Sequence, residues 1–208
     1  MSALDSRRWA ELWRSVSGRG DGRAWYDRLA AHYAEPHRHY HTARHIGECL
    51  AEFDAARDLA SQPVAVELAL WFHDAIYDTR RPDNEEQSAI LAEECLLEAG
   101  ADLTLRQAVR DLVLATKTHD PEAHADAPLL VDIDLSILGT SPTRFFEYEE
   151  QIRQEYAWVS EDVFNSKRAE ILVRFLDRKT LYATPRFQQS HERQARANLE
   201  ASLHRLRK

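Results

Sequence analysis

Four side chains in this chain form a set that could bind a metal ion: His45, the adjacent pair His73-Asp74, and Asp134. Two imidazoles and two carboxylates make a mixed nitrogen and oxygen set suited to Mn²⁺, Fe, Co²⁺, Ni²⁺ or Zn²⁺, and less to Ca²⁺. The His-Asp pair closes the most apolar run of the chain, PVAVELALWFHDAIY from Pro63 to Tyr77, where Glu67 is the one charge before it. A helix that is apolar all round is a buried helix. A buried carboxylate needs a cation, either a paired side chain or a metal, and the histidine beside Asp74 suggests the metal. Neighbours on a helix diverge by about 100°, so His73 and Asp74 share one ion only at the edge between their faces. Other helices must bring their ligands to that edge, as they do in the cores of helical bundles.

The elements around these residues read as helices. Two open the chain, roughly Asp5 to Val16 and Asp21 to Ala34, with Trp9 and Trp13 four apart as a core stripe. In EPHRHYHTARHIGECLAEF, His41, His45, Cys49 and Phe53 recur at four and form one inward row. His37 and His39 precede that helix and read as solvated or turn residues. Pro63 suits the first turn of the apolar helix. After the loop DTRRPD, Asp83 is expected to cap the next helix, with Glu86 in capping-box position. That helix ends at Gly100, and Thr104 is expected to cap the one after it. In LLVDIDLSILG the residues Val131, Ile133, Leu135 and Ile137 alternate with polar ones, which taken literally is a strand. No second convincing strand exists to pair with it, so helix is expected. Ser141-Pro142 starts three further helices, Thr143 to Ala157, Ser160 to Tyr182, and Arg186 to the end.

A length of 208 residues suits one domain. A formal charge of −8 argues against a non-specific nucleic-acid binder, yet leaves room for a small phosphorylated substrate held by a few cations. Both cysteines, Cys49 and Cys95, lie in apolar contexts without CxxC spacing, so buried free thiols are expected, as in a reducing cytoplasm. The opening MSALDSRRWAELWRSV is too polar for a signal peptide, and no run approaches the ~18 apolar residues of a membrane span.

Four blocks in order, YHTARHI, WFHDAIYD, NEEQSA and DIDLSILG, resemble the HD-domain superfamily of metal-dependent phosphohydrolases, and within it a family of short stand-alone members. The resemblance implies an all-α, HD-type helical bundle of one domain, residues 1–208, with a metal-site core over about 35–140 and helices 142–208 packed on it. It implies one divalent transition-metal ion at His45, His73, Asp74 and Asp134. YHTARHI is also similar to the first motif of the cyclic-nucleotide phosphodiesterases, whose second histidine is a ligand and whose first is a general acid; these match His45 and His41. The Asp134–Ser136 segment resembles the one holding their last ligand, and Asp132 is the rival for that role. The implied activity is hydrolysis of a phosphomonoester or phosphodiester, of a nucleotide or related small molecule, in the cytoplasm.

Further candidates follow from position. Glu85 and Glu86 read as a general base, as carboxylates orienting a ligand, or as first-turn charges facing the helix dipole. Lys117 is the first choice to hold substrate phosphate and Arg153 the second, because arginine's fork binds two phosphate oxygens; Arg38, Arg80, Arg81 and Arg168 are the other available cations. His119 reads as a substrate-pocket residue, or with His124 as a ligand of a second metal. No glycine-rich phosphate loop occurs. Two other activities stay open: a nucleotide sensor that binds without turnover, and an HD-type di-iron oxygenase that would need His119 or His124.

Overall fold

The computed structural model describes residues 4–16, 19–118 and 124–206, and His119 lies outside them. The chain is all-α, with no strand among the described residues. Two compact units divide it, Met1–Ile133 and Asp134–Lys208.

The first unit holds α1 (Ser6–Ser15), α2 (Arg23–His32), α3 (Ala43–Ala56), α4 (Pro63–Phe72), α5 (Asn84–Ala99), α6 (Leu103–Thr118) and nearly all of α7 (Ala127–Asp134). The division falls at the last residue of α7, so helix continuity fixes the backbone of Asp134 to that helix. Helix α4 is the centre of this unit and packs against α1, α3, α5 and α6. Every residue from Ala65 to Phe72 is buried, as an all-round apolar helix requires. Its one charge, Glu67, accepts from Arg8 Nε at 2.7 Å and from Arg57 Nη1 at 2.6 Å. On α1, Trp9 and Trp13 are both buried, and Trp9 Nε1 donates to the Gly22 carbonyl at 2.9 Å. Gly22 sits at φ 67°, and a Cβ there would run into the Trp13 ring, so the turn needs glycine.

Helix ends follow local chemistry, in part differently from expectation. The Asp5 carboxylate caps α1 and the Thr42 hydroxyl caps α3. Asp83 precedes α5 but makes no capping bond, because its carboxylate is taken by Arg81 at 2.9 and 3.0 Å and by Gln87. Glu86 therefore closes no capping box; it pairs with Lys117. Asp102, rather than Thr104, caps α6, accepting from the Leu105 amide at 2.8 Å. Gly100 ends α5 at φ 78° as expected.

The second unit continues from Asp134 through a 3-10 turn, Leu135–Gly139, into α8 (Pro142–Glu155), α9 (Glu161–Leu176), α10 (Pro185–Ser190) and α11 (Glu192–Leu206). The LLVDIDLSILG segment is helical throughout, α7 followed by that turn, so its alternation does not mark a strand. Helix α11 packs against α8, α9, α10 and the 3-10 turn. The expected last helix is split, since His191 separates α10 from α11. Helix α9 stops at Leu176, short of Tyr182, and the Glu192 carboxylate accepts from the Leu181 and Tyr182 amides instead. Asn198 of α11 donates to the Leu138 and Thr140 carbonyls at 2.8 and 2.9 Å, which ties α11 to the 3-10 turn. No helix among the described residues is long and apolar enough to cross a membrane.

Candidate metal centre

The His-Asp pair lies outside the helix, contrary to the expected run through Tyr77. Helix α4 stops at Phe72, and His73 is its C-terminal cap, with φ −55° and ψ −35°. The backbone leaves the helix here because other groups take its hydrogen bonds. The Ser88 hydroxyl accepts from the Ile76 amide at 3.0 Å. The Arg38 guanidinium donates to the Asp74 carbonyl at 2.6 Å and the Ala75 carbonyl at 2.8 Å. His73 keeps helical dihedrals, and its side chain and that of Asp74 nevertheless meet, Nε2 and Oδ2 lying 3.1 Å apart.

Three donor atoms converge there. His45 Nε2 and His73 Nε2 are 3.2 Å apart. Asp74 Oδ2 lies 3.3 Å from the first and 3.1 Å from the second. Ligand atoms held about 2.0–2.2 Å from a common ion, at angles between octahedral and tetrahedral, stand about 2.8–3.6 Å apart. All three separations fall in that interval. The His73 tautomer follows from its other nitrogen: Nδ1 is 3.1 Å from the Leu70 carbonyl, which can only accept, so Nδ1 carries the proton. In the neutral form of His73 that binds a metal, the lone pair of Nε2 then faces the carboxylate. Electron-rich atoms facing one another at this range call for a cation between them, so the donor set fits a divalent ion.

The carboxylate of Asp74 is ionised in this setting. With no ion bound, burial pushes its pKa up, but protonated His73 and His41, with hydrogen bonds from His45 and His73, hold it well below the usual carboxylate range; a bound cation takes the place of the protons that face it. The group is enclosed on the imidazole side and open on the acid side: side-chain exposure is 2% for His45, 1% for His73 and 18% for Asp74.

Two further donors lie beside the imidazoles, in a group that does not take in Asp74. His45, Cys49, His73 and Asp134 each offer an atom, all within 4.8 Å of one another. Asp134 enters this group from the end of α7, whereas Asp132, two residues earlier, is 1% exposed. Cys49 was not foreseen as a ligand, although the spacing of four that made it core also carries its sulfur to His45; Sγ lies 3.6 and 3.7 Å from the two ring nitrogens. Both cysteines are free and buried, as expected.

The other candidates sit as follows. His41 stacks on Tyr77, centroids 4.0 Å apart, and meets the His45 ring edge-on at 5.9 Å. His37 and His39 are exposed, as expected. Glu85 and Glu86 lie in the first turn of α5. Lys117 reaches across from α6 to Glu86 and to the Pro82 carbonyl at 3.1 Å. Arg153, in the second unit, donates to the Tyr156 and Val159 carbonyls at 2.7 and 3.0 Å and so closes the end of α8. Arg168 is bound to Tyr148 at 2.7 Å and to Glu149. His124 Nδ1 accepts from the Asp126 amide at 3.0 Å, and Nε2 faces Gln62. The side chain of Arg38 is 0% exposed and fully committed to its neighbours, so it cannot meet a substrate.

No family model, curated protein or solved structure matches the chain. The fold is all-helical with a His/Cys/Asp group able to hold a metal ion, an arrangement compatible with an HD-type domain.

Proposed function

We propose that this chain is an HD-type, metal-dependent phosphohydrolase acting on a nucleotide or a related small phosphate ester. The observation that carries the reading is the convergence of His45 Nε2, His73 Nε2 and Asp74 Oδ2 within 3.1–3.3 Å of one another. Partial exposure on the Asp74 side supports a catalytic centre over a structural one, because structural sites are closed and catalytic sites keep an open position.

His45, His73, Asp74 and Asp134 would hold the ion. When bound, such an ion supplies Lewis acidity, to a water that attacks phosphorus and to a phosphoryl oxygen. His73 is held in one tautomer by the Leu70 carbonyl, and the Asp74 backbone is held by Arg38. Both groups are thus oriented before any substrate arrives. His41, beside His45 and steadied by Tyr77, would hold the proton that the leaving oxygen takes. Glu85 at the start of α5 would serve as a base for the attacking water. Lys117 would meet substrate negative charge once released from Glu86, with His119 as a further substrate contact.

The test is a phosphatase and phosphodiesterase screen of protein reconstituted with Mn²⁺, Co²⁺, Ni²⁺ or Zn²⁺ over a nucleotide panel, beside Asp74→Ala. Hydrolysis by the parent protein and none by the variant is expected. Equal turnover by both would end the proposal.

A further inference from the structure

Cys49 Sγ, 3.6 Å from His45 Nδ1 and 3.7 Å from His45 Nε2, is 1% exposed and one turn along α3 from that histidine. Its place in the donor group has a specific chemical reading. A nitrogen at about 2.0–2.1 Å and a thiolate at about 2.3 Å from one ion, at angles from octahedral to tetrahedral, stand about 3.1–3.6 Å apart, close to the 3.7 Å observed. The same sulfur lies within 4.8 Å of a donor atom from His73 and from Asp134. The i, i+4 relation on α3 means that whatever fixes His45 over the ion brings the Cys49 sulfur along. Cys95 offers the contrast within the same chain: it is equally buried, on α5, and burial pushes its thiol pKa up, while it has no place in the donor group.

We propose that Cys49 is itself a ligand, through its thiolate, and that the centre therefore takes a thiolate-compatible ion such as Zn²⁺, Co²⁺ or Fe²⁺ in preference to Mn²⁺ or Mg²⁺. The thiol proton passes to solvent as the sulfur–metal bond forms, as ligands must deprotonate to bind. Soft donors select these ions, whereas carboxylate and water sites suit Mg²⁺ and Mn²⁺. The proposal rests on the metal reading above and narrows it.

The experiment is a Co²⁺ titration followed by absorption, using the full chain and the variants Cys95→Ser, Cys49→Ser and Cys49→Ala. A sulfur-to-cobalt charge-transfer band in the near ultraviolet is expected in the parent and in Cys95→Ser. It should vanish in both Cys49 variants, while the weaker visible ligand-field bands of bound cobalt remain. Since the chain has two cysteines, the band in Cys95→Ser assigns the ligand even where a Cys49 variant fails to fold. Ligand-field bands in the parent without the charge-transfer band would overturn the thiolate and leave the hydrolase reading standing. Persistence of the charge-transfer band in Cys49→Ser would overturn it too. Failure of the parent to give any cobalt spectrum would remove both readings together.

Discussion

Arg38 and Asp74 meet through the backbone: Nη1 of the guanidinium donates to the Asp74 main-chain carbonyl at 2.6 Å, while the Asp74 carboxylate faces His45 and His73. The same guanidinium donates to the carbonyls of His41 at 3.1 Å and Ala75 at 2.8 Å, and to Glu35 at 2.9 Å. One side chain thus sets the turn leading into α3 and the turn leaving α4, the two places from which His45 and Asp74 come. It also neutralises carbonyls at a helix C-terminus, where positive charge is favoured.

Arg38→Met should therefore unfold more easily and bind metal less tightly. It strands three carbonyls, that of Ala75 buried and those of His41 and Asp74 part-buried, and a buried acceptor left unpaired costs about 1–3 kcal/mol. A loss of about 3 kcal/mol or more is expected in urea denaturation. Arg38→Lys should recover little, because an ammonium cannot reproduce the planar fork that spans these acceptors. An unchanged urea midpoint in Arg38→Met would refute the clamp.

Asp74→Ala separates a binding role from a structural one. Without metal the variant should lose little stability, since the contacts it gives up to the imidazoles are offset by relief of a buried charge. With metal at about 100 times its Kd, the parent should gain about 2.7 kcal/mol and the variant almost none. Thermal melts with and without Co²⁺ or Zn²⁺ measure both. Equal gains in the two proteins would contradict the ligand assignment.

The helical character of this chain was legible because apolar residues recur at three and four, and the burial of α4 because it is apolar on every side. The His73-Asp74 pair stood out for the same reason, as an anion closing an apolar run. What the letters hid was where α4 ends. No proline or glycine follows Phe72 closely; the stop comes from Arg38, 36 and 37 residues before the Asp74 and Ala75 carbonyls that it holds, and from Ser88 beyond them. Capping was misjudged at Asp83 and Thr104 for a related reason: a carboxylate or hydroxyl near a helix start has several partners, and Arg81 outcompetes the α5 amides for Asp83. Cys49 was visible as an inward residue, but a spacing of four does not distinguish a packed thiol from a ligand.

Glu67 offers a test of the first unit away from the centre. It is 4% exposed in α4 and accepts from both Arg8 and Arg57. Hydrogen bonds to charged groups contribute about 1.5–3 kcal/mol, but the Arg57 side chain is 44% exposed and rehydrates when released. Glu67→Gln should therefore cost about 2 kcal/mol, and Arg57→Met under about 1 kcal/mol, as for exposed pairs. Arg8 keeps its two bonds to Asp54 in either variant. A double-mutant cycle on Glu67 and Arg57 by urea denaturation reads the coupling. A cost for Arg57→Met as large as that for Glu67→Gln would show that this arginine is not free to rehydrate.

The Lys117–Glu86 pair decides whether Lys117 can serve a substrate. The hydrogen bond from Lys117 lowers the Glu86 pKa, and the bond to Glu86 raises that of Lys117. A lowered carboxylate stabilises the fold above its unfolded pKa, and the benefit is lost as pH falls through the folded value. A raised ammonium stabilises below its unfolded pKa, and that benefit is lost as pH rises through the folded value. The pair thus contributes between about pH 5 and pH 10, weakly, because both side chains reach solvent and salt screens them. Glu86→Gln and Lys117→Met should each melt close to the parent at pH 7 and high salt. Their kinetics should diverge. If Lys117 meets phosphate, freeing it in Glu86→Gln lowers KM for a phosphorylated substrate, and Lys117→Met raises KM. Equal KM values across the parent and both variants would assign Lys117 to the α5–α6 contact alone.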